Sequence, residues 1–536
     1  MTLEKYLNLR NGTDVRGVAC EGIVGESVTL TAEAAETIAK AFCVWLITHT
    51  GKTQVTVAVG YDSRITSPTL CEAVVKGITS TGHNAIVTGL STTPSMFALL
   101  KDEKRMQGDP CQGSIMITAS HLPFNRNGLK FFSANGGLEA SDVKEILEMS
   151  ATYRFAEPSV YGEMKELPYL DDYAATLVEK VRCATGELAP LAGKKIIVDA
   201  GNGAGGFFTE KVLAPLGADT TGSQFLEPDG NFPNHIPNPE NADAMRAICD
   251  AVKATNADFG IIFDTDVDRA GAVDENGEEI NRNRLIALIS AILLNEEKGT
   301  IVTDSVTSDG LKKFITARGG RHHRFKRGYK NVINEAIRLN EQGENAPLAI
   351  ETSGHAALKE NYFLDDGAYL ITRLLIAMAN EAKEGKTLSD LIADLEMPSE
   401  AEELRVKFRA GVDFKTLGKQ LIKDFAEYAS GLYYATPADD NHEGFRLCYD
   451  DTHGDGWALI RLSLHDPVLP INVESNSVGG AVKIVKDLYY FLKRYDFLDI
   501  SPIENSILAW RKKKTEEVKG KMANSSTFVN NPLGNR

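Results

Sequence analysis

Three carboxylates at alternate positions, Asp264, Asp266 and Asp268, stand where the apolar run Phe259 to Phe263 ends, and Arg269 follows them directly. Anions this close repel one another unless a cation neutralises them, and all-oxygen ligands select a hard ion such as Mg²⁺, Mn²⁺ or Ca²⁺. A guanidinium beside a simple calcium buffer is out of place, because it adds positive charge next to the ion. It fits a site where metal and arginine share one phosphate. The segment therefore points to a divalent metal and phosphoryl chemistry, against the plain alternative of a solvated acidic turn closing a β-strand.

Three further polar clusters close apolar runs in the same way. Ile115-Met-Ile-Thr-Ala leads into Ser120 and His121, with Asn127-Gly-Leu-Lys130 shortly after. The sequence predicts an exposed serine hydroxyl in a turn, with His121 and Lys130 near enough to move protons and Gly128 permitting close backbone approach. A Ser-His hydrolase fits less well, because adjacent side chains diverge on an extended chain and no third group is evident. Ala349-Ile-Glu351-Thr-Ser353-Gly-His355 mixes acceptors and donors on one loop, which suits neighbouring sugar hydroxyls better than a metal. Leu459-Ile-Arg461-Leu-Ser463-Leu-His465-Asp466 can hold a phosphate through Arg461, the Ser463 hydroxyl and backbone amides.

Such loops need rigid strands beneath them. Short β-branched runs alternate with amphipathic helical stretches from about residue 50 to 390, the pattern of α/β layers on mostly parallel sheets, whose ligands bind beyond the carboxyl ends of the strands. Val55 to Val59 reads as a strand, Ser67 to Thr79 as a helix, and Asn84 to Val87 and Ser114 to Thr118 as strands. The rhythm returns at Lys195 to Val198, Phe259 to Phe263, Thr300 to Val302 and Leu348 to Ile350. Breaks rich in charge, Pro or Gly fall near 156–166, 274–280 and 396–404. Beyond them, Glu403 to Phe408, Phe445 to Tyr449, Trp457 to Leu462 and Leu469 to Glu474 read as strands of an α+β domain, with Gly479 to Tyr495 as its packed helix. The last segment, from Ala509, starts as a basic helix and turns Asn- and Ser-rich, so it is expected to fray.

At 536 residues the chain exceeds one hydrophobic core. A formal net charge of −16 argues against nucleic acid or an anionic membrane as the main partner, while leaving room for a small anionic ligand. The longest apolar run, Leu285 to Leu294, is too short to span a bilayer, and the first residues lack a basic segment leading into an apolar one. Seven scattered cysteines without CxxC pairs fit reduced thiols in the cytoplasm.

Taken in order, the four loops resemble the α-D-phosphohexomutase superfamily over nearly the whole chain. TASHLP with Asn127-Gly-Leu-Lys130 is similar to its active-serine loop, Asp264-Thr-Asp-Val-Asp-Arg269 to its metal loop, Ile350-Glu-Thr-Ser-Gly-His355 to its sugar loop, and Arg461-Leu-Ser-Leu-His-Asp-Pro467 to its phosphate loop. Asn11-Gly-Thr-Asp-Val-Arg16-Gly, Asp229 to His235 and Asp365-Asp-Gly367 agree with supporting segments. The chain departs from the family's text at Leu122, Thr265, Tyr329 and Leu464-His465.

The resemblance implies three similar α/β domains, 1–160, 161–276 and 277–398, and a C-terminal α+β domain, 399–500, around a central cleft, followed by an extension over 501–536. It implies a phosphohexomutase of the phosphoglucomutase/phosphomannomutase type, moving a phosphoryl group between the 1- and 6-positions of glucose or mannose through a phosphoserine and a hexose 1,6-bisphosphate. Ser120 would carry the phosphoryl group and, with Asp264, Asp266 and Asp268, hold Mg²⁺. Lys130 and His121 would exchange protons, and Arg16 and Arg269 would steady the phosphoryl oxygens. Glu351, Ser353, His355 and Lys326 would bind the sugar, and Arg461, Ser463 and His465 the distal phosphate. Glucose or mannose 1,6-bisphosphate would be the activator. The same chemistry on glucosamine phosphate, and a non-catalytic sugar-phosphate-binding regulator, are the alternatives.

Overall fold

The structure is a computed structural model that describes residues 1–102, 110–463 and 466–512. The chain divides into two units: residues 1–301, 318–320 and 333–394 form the first, and residues 302–317, 321–332 and 395 onwards form the second.

The first unit starts with an eight-stranded sheet. Its central strands Gly113–Ile117, Thr56–Tyr61 and Asn84–Leu90 pair in parallel, as their apolar sequences predict, with helix Ser67–Thr79 as the first crossover. On one side the sheet turns antiparallel: Arg126–Ser133 pairs with Gly113–Ile117, and Asp14–Val18 with Arg126–Ser133. Lys130 thus sits within a buried strand, opposite Met116. Behind the sheet, helix Ala32–Thr50 begins at a Thr31 side-chain cap and ends at left-handed Gly51. It packs Ile38, Phe42 and Leu46 into a core with Val57, Ile115 and Phe131.

A second sheet pairs Ile196–Asp199 in parallel with Phe259–Phe263, which Ala270–Val273 then follows antiparallel. The Asp cluster forms the connection between those last two strands, so its three carboxylates are held from both sides. Strands Leu348–Ile350, Ala356–Leu358 and Leu364–Asp365 make an antiparallel meander. The apolar run Leu285 to Leu294 is wholly buried within helix Asn283–Glu296, and no helix among the described residues is long and apolar enough to cross a membrane.

The second unit contains an antiparallel sheet in the order Ala435–Pro437, Phe445–Tyr449, Gly456–Ile460, Val468–Ser475, Glu400–Phe408 and Leu498–Asp499. Helices Phe414–Ser430 and Gly480–Leu492 cover one face, burying Leu421, Phe425, Leu488 and Phe491 against Leu447, Ile460 and Ile471. This is the α+β arrangement expected after residue 399. Residues 509–512 are helical, as predicted; the rest of that segment lies outside the described residues.

Candidate active site

Ser120 lies just beyond strand Gly113–Ile117, 3% exposed, with φ 51°. A non-glycine residue in the left-handed region costs roughly 1–3 kcal/mol unless its surroundings hold it there. Thr118 Oγ1 accepts from the Ser120 amide at 2.9 Å, and the Ser120 hydroxyl donates to Asp264 Oδ2 at 3.1 Å. Arg269 Nη2 donates to the same hydroxyl at 3.0 Å and contacts His121 Nδ1 at 2.6 Å. One guanidinium thereby faces serine hydroxyl, histidine and carboxylate, for its Nε also donates to Asp264 Oδ2 at 3.0 Å.

The aspartates are almost fully buried, and their ligand oxygens lie within 4.8 Å of one another. Lys130 Nζ donates to Asp266 Oδ2 at 2.9 Å and to Asp268 Oδ2. Thr93 donates from its hydroxyl to Asp266 Oδ2 at 2.5 Å and from its amide to the Asp266 carbonyl at 2.9 Å. Asp266 Oδ1 and Asp268 Oδ1 are buried with no hydrogen-bond partner. Three hard oxygen donors, two of them with an unused buried oxygen and both countered by an ammonium, fit a divalent cation. Val267, between them, has φ 65° and accepts at its carbonyl from the Gly367 amide.

The charges are mutually adjusted. Burial and the Asp268 carboxylate push Asp264 well above the usual carboxylate range, whereas Asp268, against its burial, is held down by Lys130, His355 and Arg269. Burial and the guanidiniums of Arg269 and Arg16 lower His121 to about 3, so its ring is neutral. Lys130 is buried, which disfavours its charge, yet Asp266, Asp268 and Asp14 keep it strongly cationic.

The structure also gathers the other predicted residues of this unit. Arg16 sits opposite Gly128 and donates to the Ala119 carbonyl at 3.2 Å and to Asp14 at 2.9 Å. A Cβ on Gly128 would lie 2.2 Å from the Val15 carbonyl oxygen and 2.7 Å from that of Thr118, so only glycine lets these chains approach. His355 forms a backbone bridge with Arg269 and an ion pair with Asp365. Burial opposes its charge, but Asp365 and Asp268 raise it to about 9. Glu351 and Ser353, on the same loop, are 4% and 8% exposed, and the Ser353 hydroxyl has no hydrogen-bond partner.

The remaining predicted residues belong to the second unit. Arg461 follows strand Gly456–Ile460, 9% exposed, its Nε buried without a partner. The Ser463 hydroxyl accepts from the Asp466 amide at 3.3 Å. Lys326 is exposed, its ammonium 5.7 Å from the Phe325 ring centroid. Leu464 and His465 lie outside the described residues.

Sequence reasoning missed Thr93 and Asn238, whose Oδ1 accepts from Arg269 Nη1 at 3.1 Å. Thr93 follows a strand end and opens a helix behind a Thr92 capping box, which marks a helix start and not the contact with Asp266. Asn238 lies just past the Asp229 to His235 segment and carried no comparable mark.

Family models of the phosphoglucomutase/phosphomannomutase alpha/beta/alpha domains I, II and III match residues 9–157, 171–277 and 281–397. The phosphoglucomutase of Neisseria gonorrhoeae is 30% identical over 466 residues, covering 86% of this chain and 93% of its own. The phosphomannomutase/phosphoglucomutase of Pseudomonas putida is 30% identical over 479 residues, covering 88% and 94%. A crystal structure of a phosphoglucomutase/phosphomannomutase family protein from Burkholderia thailandensis superposes with a TM-score of 0.73 at 26% identity, covering 92% of this chain and 98% of that one. The chain belongs to the phosphoglucomutase/phosphomannomutase family, within the α-D-phosphohexomutase superfamily. It is a phosphohexomutase, an intramolecular phosphotransferase.

Proposed function

We propose that the protein interconverts the 1- and 6-phosphates of glucose, mannose or both, through a phosphorylated Ser120 and an enzyme-bound hexose 1,6-bisphosphate. The observation that carries this reading is the Ser120 hydroxyl held 3.1 Å from Asp264 and 3.0 Å from Arg269, beside three buried carboxylates, in a chain of this family. The names of the relatives, which cover both sugars, support the substrate class.

The resting enzyme carries the phosphoryl group on Ser120 Oγ. A sugar hydroxyl attacks phosphorus, the P–Oγ bond breaks as the new P–O bond forms, and the hydroxyl proton leaves to a base. His121 is the proposed acceptor of that proton and Lys130 the proposed donor to the departing Ser120 oxygen. The exchange reverses when the other phosphate of the bisphosphate passes back, Ser120 giving up its proton as the sugar oxygen regains one. Arg269 and Arg16 face the oxygens where charge gathers. Asp264, Asp266, Asp268 and the phosphorylated Ser120 would hold Mg²⁺, which when bound neutralises these carboxylates and polarises the phosphoryl oxygens. Glu351, Ser353, His355 and Lys326 are the proposed sugar contacts. Arg461, Ser463 and His465, in the domain proposed at 399–500, are the grip on the non-reacting phosphate.

Glucose or mannose 1,6-bisphosphate is the proposed activator, because it rephosphorylates Ser120 after loss of the intermediate. The cytoplasm is the proposed location, supported by seven cysteines without a disulfide. Turnover of glucose, mannose and glucosamine 1-phosphates with Mg²⁺ and added bisphosphate tests the reading. Conversion of the glucose or mannose ester supports it, preference for glucosamine moves it to the amino sugar, and no turnover of any leaves a sugar-phosphate-binding regulator.

A further inference from the structure

Arg64 stands outside every segment that resembles the family's functional loops, yet its side chain gathers the serine loop around itself. It is 1% exposed. Nη1 donates to the carbonyls of Pro123 and Arg126, both at 2.9 Å. Nη2 donates to the Leu122 carbonyl at 2.7 Å and to the carbonyl of Ser120 itself. Asp62, whose amide donates to the Ile117 carbonyl, holds Arg64 from behind: Oδ1 accepts from the Arg64 amide at 3.1 Å and Oδ2 lies 3.4 Å from Nε. The ring of Phe232, from the loop before Asn238, lies 5.2 Å from the guanidinium carbon. Gly230 lets that loop sit so close, since a Cβ there would lie 2.4 Å from the Ile65 nitrogen.

We propose that Arg64 is a positioning residue for phosphoryl transfer: its forked guanidinium, by binding four carbonyls of one loop, keeps Ser120 in the left-handed conformation that aims its hydroxyl at Asp264 and Arg269. The proposal rests on Ser120 as the phosphoryl carrier. Only a planar fork with several donors spans four carbonyls at once; an ammonium is a point charge and cannot. Without the fork, the carbonyls turn to other donors and Ser120 relaxes, while the aspartates and the sugar loop keep their own partners. The effect therefore falls on the rate of transfer and spares binding.

The test uses the full chain with Mg²⁺ and compares wild type with Arg64→Lys, which keeps the charge and loses the fork, and Phe232→Leu, which loses the ring over it. For Arg64→Lys, kcat should fall on the order of a hundredfold, the scale of an ångström's misplacement at a reacting atom. KM for the hexose 1-phosphate should stay within about threefold, and deuterium exchange should speed up in peptides covering residues 119–126 and not in those covering 259–273. Phe232→Leu should show the same pattern, more weakly. A kcat within threefold of wild type, a rise in KM at unchanged kcat, or exchange that is unaltered at 119–126 or rises everywhere would overturn the proposal. If wild type turns over no sugar phosphate, the function reading fails first, and the exchange measurement still decides whether Arg64 holds the loop.

Discussion

The surroundings of Ser120 in the first unit and of Arg461 in the second handle charge in opposite ways. Around Ser120, every cation already answers an anion: Arg269 with Asp264, and Lys130 with Asp266 and Asp268. At Arg461 a guanidinium that is 9% exposed has a buried Nε with no hydrogen-bond partner, and no described residue forms an ion pair with it. Its burial lowers its pKa, as does the nearby Arg327, against the pull of Glu443. A buried unpaired charge costs several kcal/mol, so such a residue is poised for an anion from outside. On the proposed roles the difference separates reacting from holding: the surroundings of Ser120 are organised before substrate arrives, and those of Arg461 would be completed by it.

The largest test of that contrast is Ser120→Ala, expected to reduce turnover by at least ~10³-fold, because among the described residues no other hydroxyl bonds to both Asp264 and Arg269. Mass spectrometry after incubation with a hexose bisphosphate should find phosphate on the Ser120 peptide of wild type and none there in the variant. Phosphate on a different residue of wild type would refute the assignment. Thorough chelation should likewise stop turnover, and Mg²⁺ restore it. Asp266→Asn should need at least tenfold more Mg²⁺, since an amide supplies an oxygen without the charge, a loss typically worth ~10–100-fold in affinity.

At Arg461 the expected effect is smaller and of another kind. Arg461→Ala should raise KM about ten- to a hundredfold through loss of a charge-assisted contact worth ~1.5–3 kcal/mol. The free protein should lose little thermal stability, because the variant removes an uncompensated buried charge. Arg269→Ala should behave the other way, lowering both activity and melting temperature by stranding Asp264. Equal loss of stability in the two variants would collapse the comparison.

A further expected effect concerns pH and stability rather than turnover, and lies in the second unit. Glu474 is 9% exposed and accepts from Trp457 Nε1 at 2.9 Å. Burial raises it to about 7. The folded protein therefore binds its proton more tightly than the unfolded chain, whose glutamate titrates near ~4.3. Its contribution falls as pH rises through that window and is level above it, at about 1.4 kcal/mol per unit of separation. Glu474→Gln should flatten this part of the stability curve between pH 5 and 7, as chemical denaturation at several pH values would show.

Chemistry packed into a few consecutive residues was legible in the sequence. Asp264, Asp266, Asp268 and Arg269 declare themselves by charge and spacing, and Ser120 by the apolar strand before it. Strands with parallel neighbours were legible for the same reason, being short apolar runs. Arg126–Ser133 was not, because its first half reads as a polar turn, and only pairing with two other strands makes Lys130 a sheet residue. Arg64 and Thr93 were hidden by distance along the chain: Arg64 binds carbonyls 56 to 62 positions away and Thr93 a carboxylate 173 away. Backbone carbonyls leave no trace in sequence, since every residue has one.

The loop from Asp229 to Asn238 touches both guanidiniums that bracket Ser120, Phe232 lying against Arg64 and Asn238 accepting from Arg269. A tilt of the segment bearing the aspartates away from the segment bearing the serine must break the Phe232–Arg64 contact together with the bonds from Ser120 to Asp264 and Arg269, while Asn238 keeps its hold on Arg269. Those contacts resist separation of the two segments, so if a sugar bisphosphate reverses its ends here as proposed, the rearrangement meets less resistance elsewhere in the chain.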